Sequence, residues 1–192
     1  MMQVVLKANM VGNLKKIILE SNSIKLRPLS EEDYSDEYLQ WLNDMEINRY
    51  LETRWEEQNK EKIKSFLRSV KKDQNSILYG IFFENVHVGN IKIGPINWNH
   101  KHADVSYFIG SREVWGKGLA TEAVQRVTRF AFEDLGLNKC NAGVYSGNPG
   151  SSRVLEKVGY TLEGCLKHEL MGPEGWEDHL LYGYLRKDFL GL

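Results

Sequence analysis

The stretch WGKGLATEAVQRVTRFAFEDLG, from Trp115 to Gly136, decides how the chain is read, together with NAGVYSGNPGSSRVLEKVGYTLEG, from Asn141 to Gly164. A strand-like run, His102 to Ile109, leads into a turn punctuated by Gly116 and Gly118, and an amphipathic helix begins there. Glycine lets backbone amides approach a ligand with no Cβ in the way. A helix N-terminus adds several unpaired N–H groups and roughly half a positive charge. Together these features specify a receptor for phosphate, and the pyrophosphate of a nucleotide-like cofactor is the expected ligand.

Three phosphate-binding patterns compete for this turn. A Walker A loop requires G-x-x-x-x-G-K-[ST], yet here the lysine precedes the second glycine and Leu119 stands where the pattern needs Lys. A dinucleotide fingerprint requires Gly or Ala at its sixth position, where this chain has Thr121. That fingerprint also needs an acidic residue ending the next strand, whereas Glu133 and Asp134 fall inside the same helical pattern. Both fail on spacing. The third pattern, [QR]-x-x-G-x-[GA], fits over Trp115-Gly116-Lys117-Gly118-Leu119-Ala120, with Trp115 in place of the usual Gln or Arg.

On that loop, and on the downstream run N-P-G-S-S-R-V-L-E-K-V-G-Y-T-L-E-G, the chain resembles the GCN5-related N-acetyltransferase (GNAT) superfamily, in its RimJ/RimL-like branch. The resemblance extends over residues 24–189 and is strongest between Asp104 and Gly164. It implies a single-domain α/β sandwich around a mixed, splayed central sheet. It also implies acetyl-CoA as co-substrate and transfer of its acetyl group to a primary amine. Cofactor contacts are then expected from Tyr107, Phe108 and Ile109, from the loop Trp115, Gly116, Lys117, Gly118, Leu119, Ala120 and Thr121, and from Asn148, Ser151 and Arg153.

Bulk properties agree with one soluble globular domain. A chain of 192 residues can bury one core and is short for two domains. Its 42% hydrophobic and 27% charged residues are ordinary for a globular protein. A net charge of −1 argues against general affinity for nucleic acid. No apolar run approaches a membrane span, and the N-terminal residues make a poor signal peptide, so the cytoplasm is the expected location. Residues 1–22 read as an extension of unknown role and residues 23–192 as the domain. Cys140 and Cys165 have no metal-binding spacing and read as buried free thiols. No metal is expected, and a homodimer is left open.

Periodicity places the remaining elements. Ile24–Leu29 reads as a strand, and Tyr34, Tyr38, Trp41 and Leu42 share one helical face behind a capping box formed by Ser30 and Asp33. Asp44 caps a short helix reaching Tyr50, and Ile63, Phe66, Leu67 and Val70 mark another. Ile77–Phe83 and Val86–Ile93 form a hairpin about Glu84-Asn85, with Gly94-Pro95 breaking the second strand. Leu119, Ala123, Val127, Phe130, Ala131 and Leu135 form the buried face of a helix over Lys117–Leu135. Cys140–Tyr145 is a strand, Ser151–Val158 a short helix, and Tyr160–His168 and Leu180–Leu185 close the sheet.

Acetyl transfer needs an unprotonated amine, an oxyanion receptor and a proton for the leaving thiolate. Many relatives carry a tyrosine acid where this chain has Leu155, so Ser151, Tyr145 or water takes that role, or the chain is a catalytically silent acyl-CoA-binding module. Asp104, on the strand before the loop, is the expected base. Ser151 also reads as the N-cap of its helix, and Asn148 as a turn residue or a pantetheine contact. The acceptor is expected against Trp41, Arg49, Tyr50 and Glu52, with His168, Glu169, Asp178 and His179 clustered nearby in sequence and His168 as the contact. It is expected to be a protein N-terminal amine, or alternatively an amino-sugar nucleotide or a polyamine.

Overall fold

A computed structural model describes residues 16–191. Eight strands form one mixed sheet in the order β1-β2-β3-β4-β5-β6-β8-β7. The strands are β1 (Leu19–Glu20), β2 (Ile24–Pro28), β3 (Ile77–Phe83), β4 (Val86–Asn97), β5 (His102–Ile109), β6 (Lys139–Tyr145), β7 (Thr161–Gly172) and β8 (Gly175–Leu185). Helices α1 (Asp36–Asn43), α2 (Met45–Asn48) and α3 (Lys60–Lys72) connect β2 to β3. Helix α4 (Leu119–Glu133) connects β5 to β6, α5 (Pro149–Val158) connects β6 to β7, and α6 (Arg186–Phe189) follows β8. This is the expected single α/β domain.

The sheet is covered on both faces, and strand alternation shows how. Ile77, Tyr79 and Ile81 enter the larger core with Leu119, Ala123, Val127, Phe130, Ala131 and Leu135 of the α4 segment. Leu78 points the other way, into a smaller core with Tyr38, Trp41, Leu42, Ile63 and Leu67 of α1 and α3. Period-2 residues on a strand therefore serve one layer each. Phe130 is fully buried, so its truncation to Ala costs roughly 3–5 kcal/mol.

Several boundaries differ from the sequence reading. The Ser30–Asp33 capping box is present, but it closes a one-turn 3₁₀ segment, Glu31–Asp33. Helix α1 starts only after Ser35, whose side chain accepts from the Tyr38 amide, so Tyr34 lies outside it. Phe66 is exposed while Ile63 and Leu67 of the same helix are buried. Strand β4 runs through Gly94-Pro95 to Asn97, absorbing the interruption as an irregularity between Ile93 and Ile96. The closing strands are longer than expected, because β7 and β8 pair as one hairpin out to Gly172 and Gly175. Cys140 is buried as expected, but Cys165 is exposed on the edge strand. Leu19 is fully buried and β1 pairs with β2, so part of the N-terminal extension joins the sheet. Residues 1–15 of that extension lie outside the described residues.

One topological feature positions the site. Strand β5 is parallel to β6 and pairs with it only at His102–Lys139, Ala103–Cys140 and Asp104–Asn141. Beyond that point β5 continues on β4 as far as Ile109, and β6 continues on β8 as far as Tyr145. The facing edges of Val105–Ile109 and Ala142–Tyr145 are left apart, and the sheet opens into a V.

Candidate active site

A cleft of about 1090 Å³ occupies this V and runs between the two helical layers. It is large for a small-molecule site, which commonly has roughly 300–1,000 Å³. Val105–Ile109 line one wall and Ala142–Tyr145 the other.

At the α4 end, Gly116 and Gly118 adopt φ values of 77° and 82°, the left-handed region where a side chain is strained. A Cβ placed on either glycine would meet nothing within 4 Å. Among the described residues, no hydrogen-bond acceptor serves the amides of Gly116, Gly118, Leu119, Ala120 or Thr121; the first helical bond is Glu122 N–H to Gly118 O at 3.1 Å. These free donors and the helix dipole converge on open space, so the residues present fit a diphosphate. Trp115 supports the loop from outside the ring of donors. Its indole N–H donates to the Ile109 carbonyl at 3.0 Å, tying the turn to the end of β5.

Across the V, the Tyr107 hydroxyl lies 2.9 Å from Ser151 Oγ and 3.2 Å from the Ser151 carbonyl oxygen. Burial pushes the Tyr107 phenol up to about 12, against a smaller opposing effect of the Ser151 bond, so it stays protonated at neutral pH. Ser151 is not the cap of α5. Asn148 is, accepting the Ser151 amide on its side-chain oxygen at 3.2 Å, and Ser151 is thereby free to bond with Tyr107. Leu155, at the position of the usual tyrosine, is fully buried.

The opposite sheet face carries a second group. The Tyr145 hydroxyl donates to Glu52 Oε1 at 2.5 Å, and Arg54 donates to the same hydroxyl at 3.3 Å. The Tyr145 hydrogen bond is the main influence holding the Glu52 carboxyl below its ordinary range, outweighing partial burial. Tyr145 is itself raised, first by burial and then by donating to Glu52. Tyr50 packs on the Tyr145 ring and donates to the Gly147 carbonyl at 2.5 Å. His179, on β8 opposite Tyr145, also lines the cleft.

The cleft thus gathers Tyr107, Phe108, Ile109, Trp115, Ala120, Tyr145, Asn148 and Ser151, along with Arg49, Tyr50 and Glu52. Lys117 and Arg153 are exposed outside its lining; Gly116 and Gly118 form the turn, and Leu119 and Thr121 the first turn of α4, none of them in the lining. Three expected residues stand elsewhere. Asp104 is at the closed foot of the V, held by Asn141 at 3.4 Å and bordering a separate depression. Trp41 is 8% exposed and packs edge-on against His87 and Phe108 in the smaller core. His168 is exposed at a left-handed position (φ 50°) where β7 loses register, so its side chain leaves the cleft and His179 takes the place expected of it. Glu46, a carboxylate expected with Glu52 to attract a cationic amine, lines the cleft, and lining residues not anticipated include Asn90 and Lys92. Lys92 had a signal: it alternates with buried Ile91 and Ile93 and so must face the other layer. Among the described residues, no group of His, Cys, Asp and Glu is placed to hold a metal, and no helix is long and apolar enough to cross a membrane.

Comparison with known proteins bears on this geometry. Residues 23–161 match the family model described as an acetyltransferase (GNAT) domain. The chain is 41% identical over 86 residues to the Probable N-acetyltransferase YjcK of Bacillus subtilis (strain 168), a match covering 45% of this chain and 47% of that protein. The matched segment therefore spans about half the length of that relative. It is 29% identical over 152 residues to the spermidine N(1)-acetyltransferase of Escherichia coli (strain K12), covering 78% of each. In fold it is similar to RimL, a ribosomal L7/L12 alpha-N-protein acetyltransferase solved in complex with coenzyme A. That likeness has a TM-score of 0.79 at 18% identity and covers 88% of this chain and 98% of that one.

Proposed function

The chain belongs to the GNAT acetyltransferase family, and from that premise we propose that it is an N-acetyltransferase that moves the acetyl group of acetyl-CoA to a protein N-terminal amine. The observation carrying this reading is the cleft through the sheet. Free helix-terminal amides lie at one end of it, and at the other a carboxylate, Glu52, that accepts hydrogen bonds from Tyr145 and Trp55 and has the Arg54 charge nearby.

The charge count favours an acceptor with one positive charge. Glu46, the other carboxylate in the lining, is paired with Arg112 at 3.0 Å. Arg49 and Lys92 add two cations to the same walls. A polyamine brings several positive charges past these cations, whereas a peptide N-terminus brings one and needs the open groove. A polyamine is the second reading, favoured by the similarity to the Escherichia coli spermidine enzyme.

When bound, acetyl-CoA supplies a thioester whose carbonyl carbon is open to attack by an amine. The amides of Gly116, Gly118, Leu119, Ala120 and Thr121 hold its diphosphate, and the unpaired edge of β5 aligns the rest of the chain. Glu52 attracts the ammonium form of the acceptor. Ser151 donates its hydroxyl hydrogen towards the departing sulfur and is reloaded from the hydrogen-bonded Tyr107 or from the amine. Bringing both reactants into register is itself worth roughly 7–11 kcal/mol of the barrier.

The test is an acceptor panel read as free CoA thiol: peptides with free N-termini, the same peptides N-formylated, spermidine, and an amino-sugar nucleotide. The proposal expects release with free peptides and none with formylated ones. Faster turnover of spermidine than of every peptide would move the assignment to the second reading.

A further inference from the structure

The amine must lose a proton before it attacks, and Asp104 stands at the closed foot of the V rather than in the cleft. We propose that His179, oriented by Glu169, is the catalytic residue that takes this proton, an assignment that rests on the acetyl-transfer reading above. The His179 Nδ1 lies 2.6 Å from Glu169 Oε2, so the carboxylate accepts Nδ1–H and leaves Nε2 as the acceptor. The Nε2 edge hangs over Gly143 of β6: a Cβ there would lie 2.2 Å from Nε2. Only a missing side chain at position 143 lets the imidazole reach the mouth of the V, and Gly143 lines the cleft beside Tyr145.

The groups around the ring leave it as the proton acceptor. Glu169 faces it from β7, Tyr145 from the register position on β6, and Glu52 with Arg54 from the 3₁₀ turn over Tyr145. Tyr145 is held protonated by burial and by its bond to Glu52. Glu52, held below its ordinary value by that same bond, is a poor base. A base oriented by a third group is the arrangement general-base catalysis requires.

The step balances. Nε2 takes one proton from R–NH₃⁺, and the freed lone pair forms the C–N bond at the thioester carbonyl while the C–S bond breaks. The nitrogen's surplus proton passes through the Ser151 hydroxyl to sulfur. The products are the N-acetyl amide, the CoA thiol and one proton on His179, which leaves to solvent.

Two measurements on the full chain test this. Long-range ¹H–¹⁵N correlation of histidine-labelled protein, with His179 assigned through His179→Gln, should show the Nδ1–H tautomer in the wild type and a loss of that preference in Glu169→Gln. In the thiol-release assay, with the fastest peptide or spermidine as probe, His179→Gln should lower kcat by at least about 100-fold. It should also erase the acidic limb of the pH–rate profile while leaving the acetyl-CoA Kd within threefold. Gly143→Ala, which displaces the ring, should do the same, and Glu169→Gln should cause a smaller fall. An Nε2–H tautomer in the wild type overturns the proposal, as does a His179→Gln profile with its acidic limb intact or a loss confined to KM. Failure of the acetyl-transfer reading would register separately, as no thiol release by the wild type with any amine; the tautomer measurement would still decide the His179–Glu169 dyad.

Discussion

Replacing Gly118 with Glu tests the proposed diphosphate cradle separately from the rest of the fold. Gly118 precedes α4 with φ 82°, so any side chain there costs roughly 1–2 kcal/mol of left-handed strain. In a chain of this size that strain lowers Tm by roughly 2–8 °C. No atom lies within 4 Å of the new Cβ, so there is no steric penalty to add. Binding suffers a different loss. A carboxylate about 5 Å from one phosphate charge, at an effective dielectric of about 20, is repelled by about 3 kcal/mol. That alone weakens Kd by roughly 100-fold or more. Gly118→Gln carries the same strain and nearly the same bulk without the charge, so the ratio of the two affinities reports electrostatics. Titration calorimetry with acetyl-CoA at low and high salt reads that ratio, which should shrink as the Debye length falls. A Gly118→Glu protein that melts cooperatively yet binds acetyl-CoA within threefold of wild type would refute the placement of the diphosphate on α4.

Further outcomes follow from the same geometry. Tyr107→Phe removes the hydroxyl 2.9 Å from Ser151 Oγ and should lower kcat more than it changes the acetyl-CoA Kd; equal effects on both would mean the tyrosine only packs. Asp104→Asn should leave the pH–rate profile unchanged, because Asp104 lies outside the cleft; loss of the acidic limb would restore it as the base. Asn148→Ala removes the cap of α5 and should cost about 1 kcal/mol of stability, read as Tm, with weaker cofactor binding as a secondary effect. Asp33 gives a pH test. Burial alone would raise its carboxyl, but the Arg27 guanidinium at 2.6 Å and the Ser30 amide outweigh burial and hold it below its ordinary 3.8. Its stabilising contribution is therefore complete above 3.8 and is lost as pH falls through the lowered folded value. The Tm difference between wild type and Asp33→Asn should be constant at neutral pH and shrink below pH 3.8; a constant difference down to pH 2 would show that the ion pair contributes nothing.

The larger core and the geometry of the glycine turn before α4 were legible because their signals are local. Leu119, Ala123, Val127 and Phe130 repeat at helical spacing, and all are buried. Gly116 and Gly118 sit where left-handed backbone is needed, and both adopt it. The acceptor side was harder to read, because its residues converge from elements far apart in the chain. Tyr145 meets Glu52 across 93 positions of sequence, and His168 and His179 cannot be ranked until the β7–β8 register is known. The slip between Leu166 and Leu170 carries His168 out to solvent and leaves His179 opposite Tyr145.

The order of residues by itself determined that one α/β domain would present glycine-opened amides at the head of a helix, since backbone conformation and apolar periodicity are written within a few consecutive positions. Where β5 and β6 part company, and which carboxylate, tyrosine and imidazole then face one another across the gap, was decided only in three dimensions. Strand pairing ends where the twist of the sheet and the packing of two helical layers pull the partners apart, and no short run of residues records that balance.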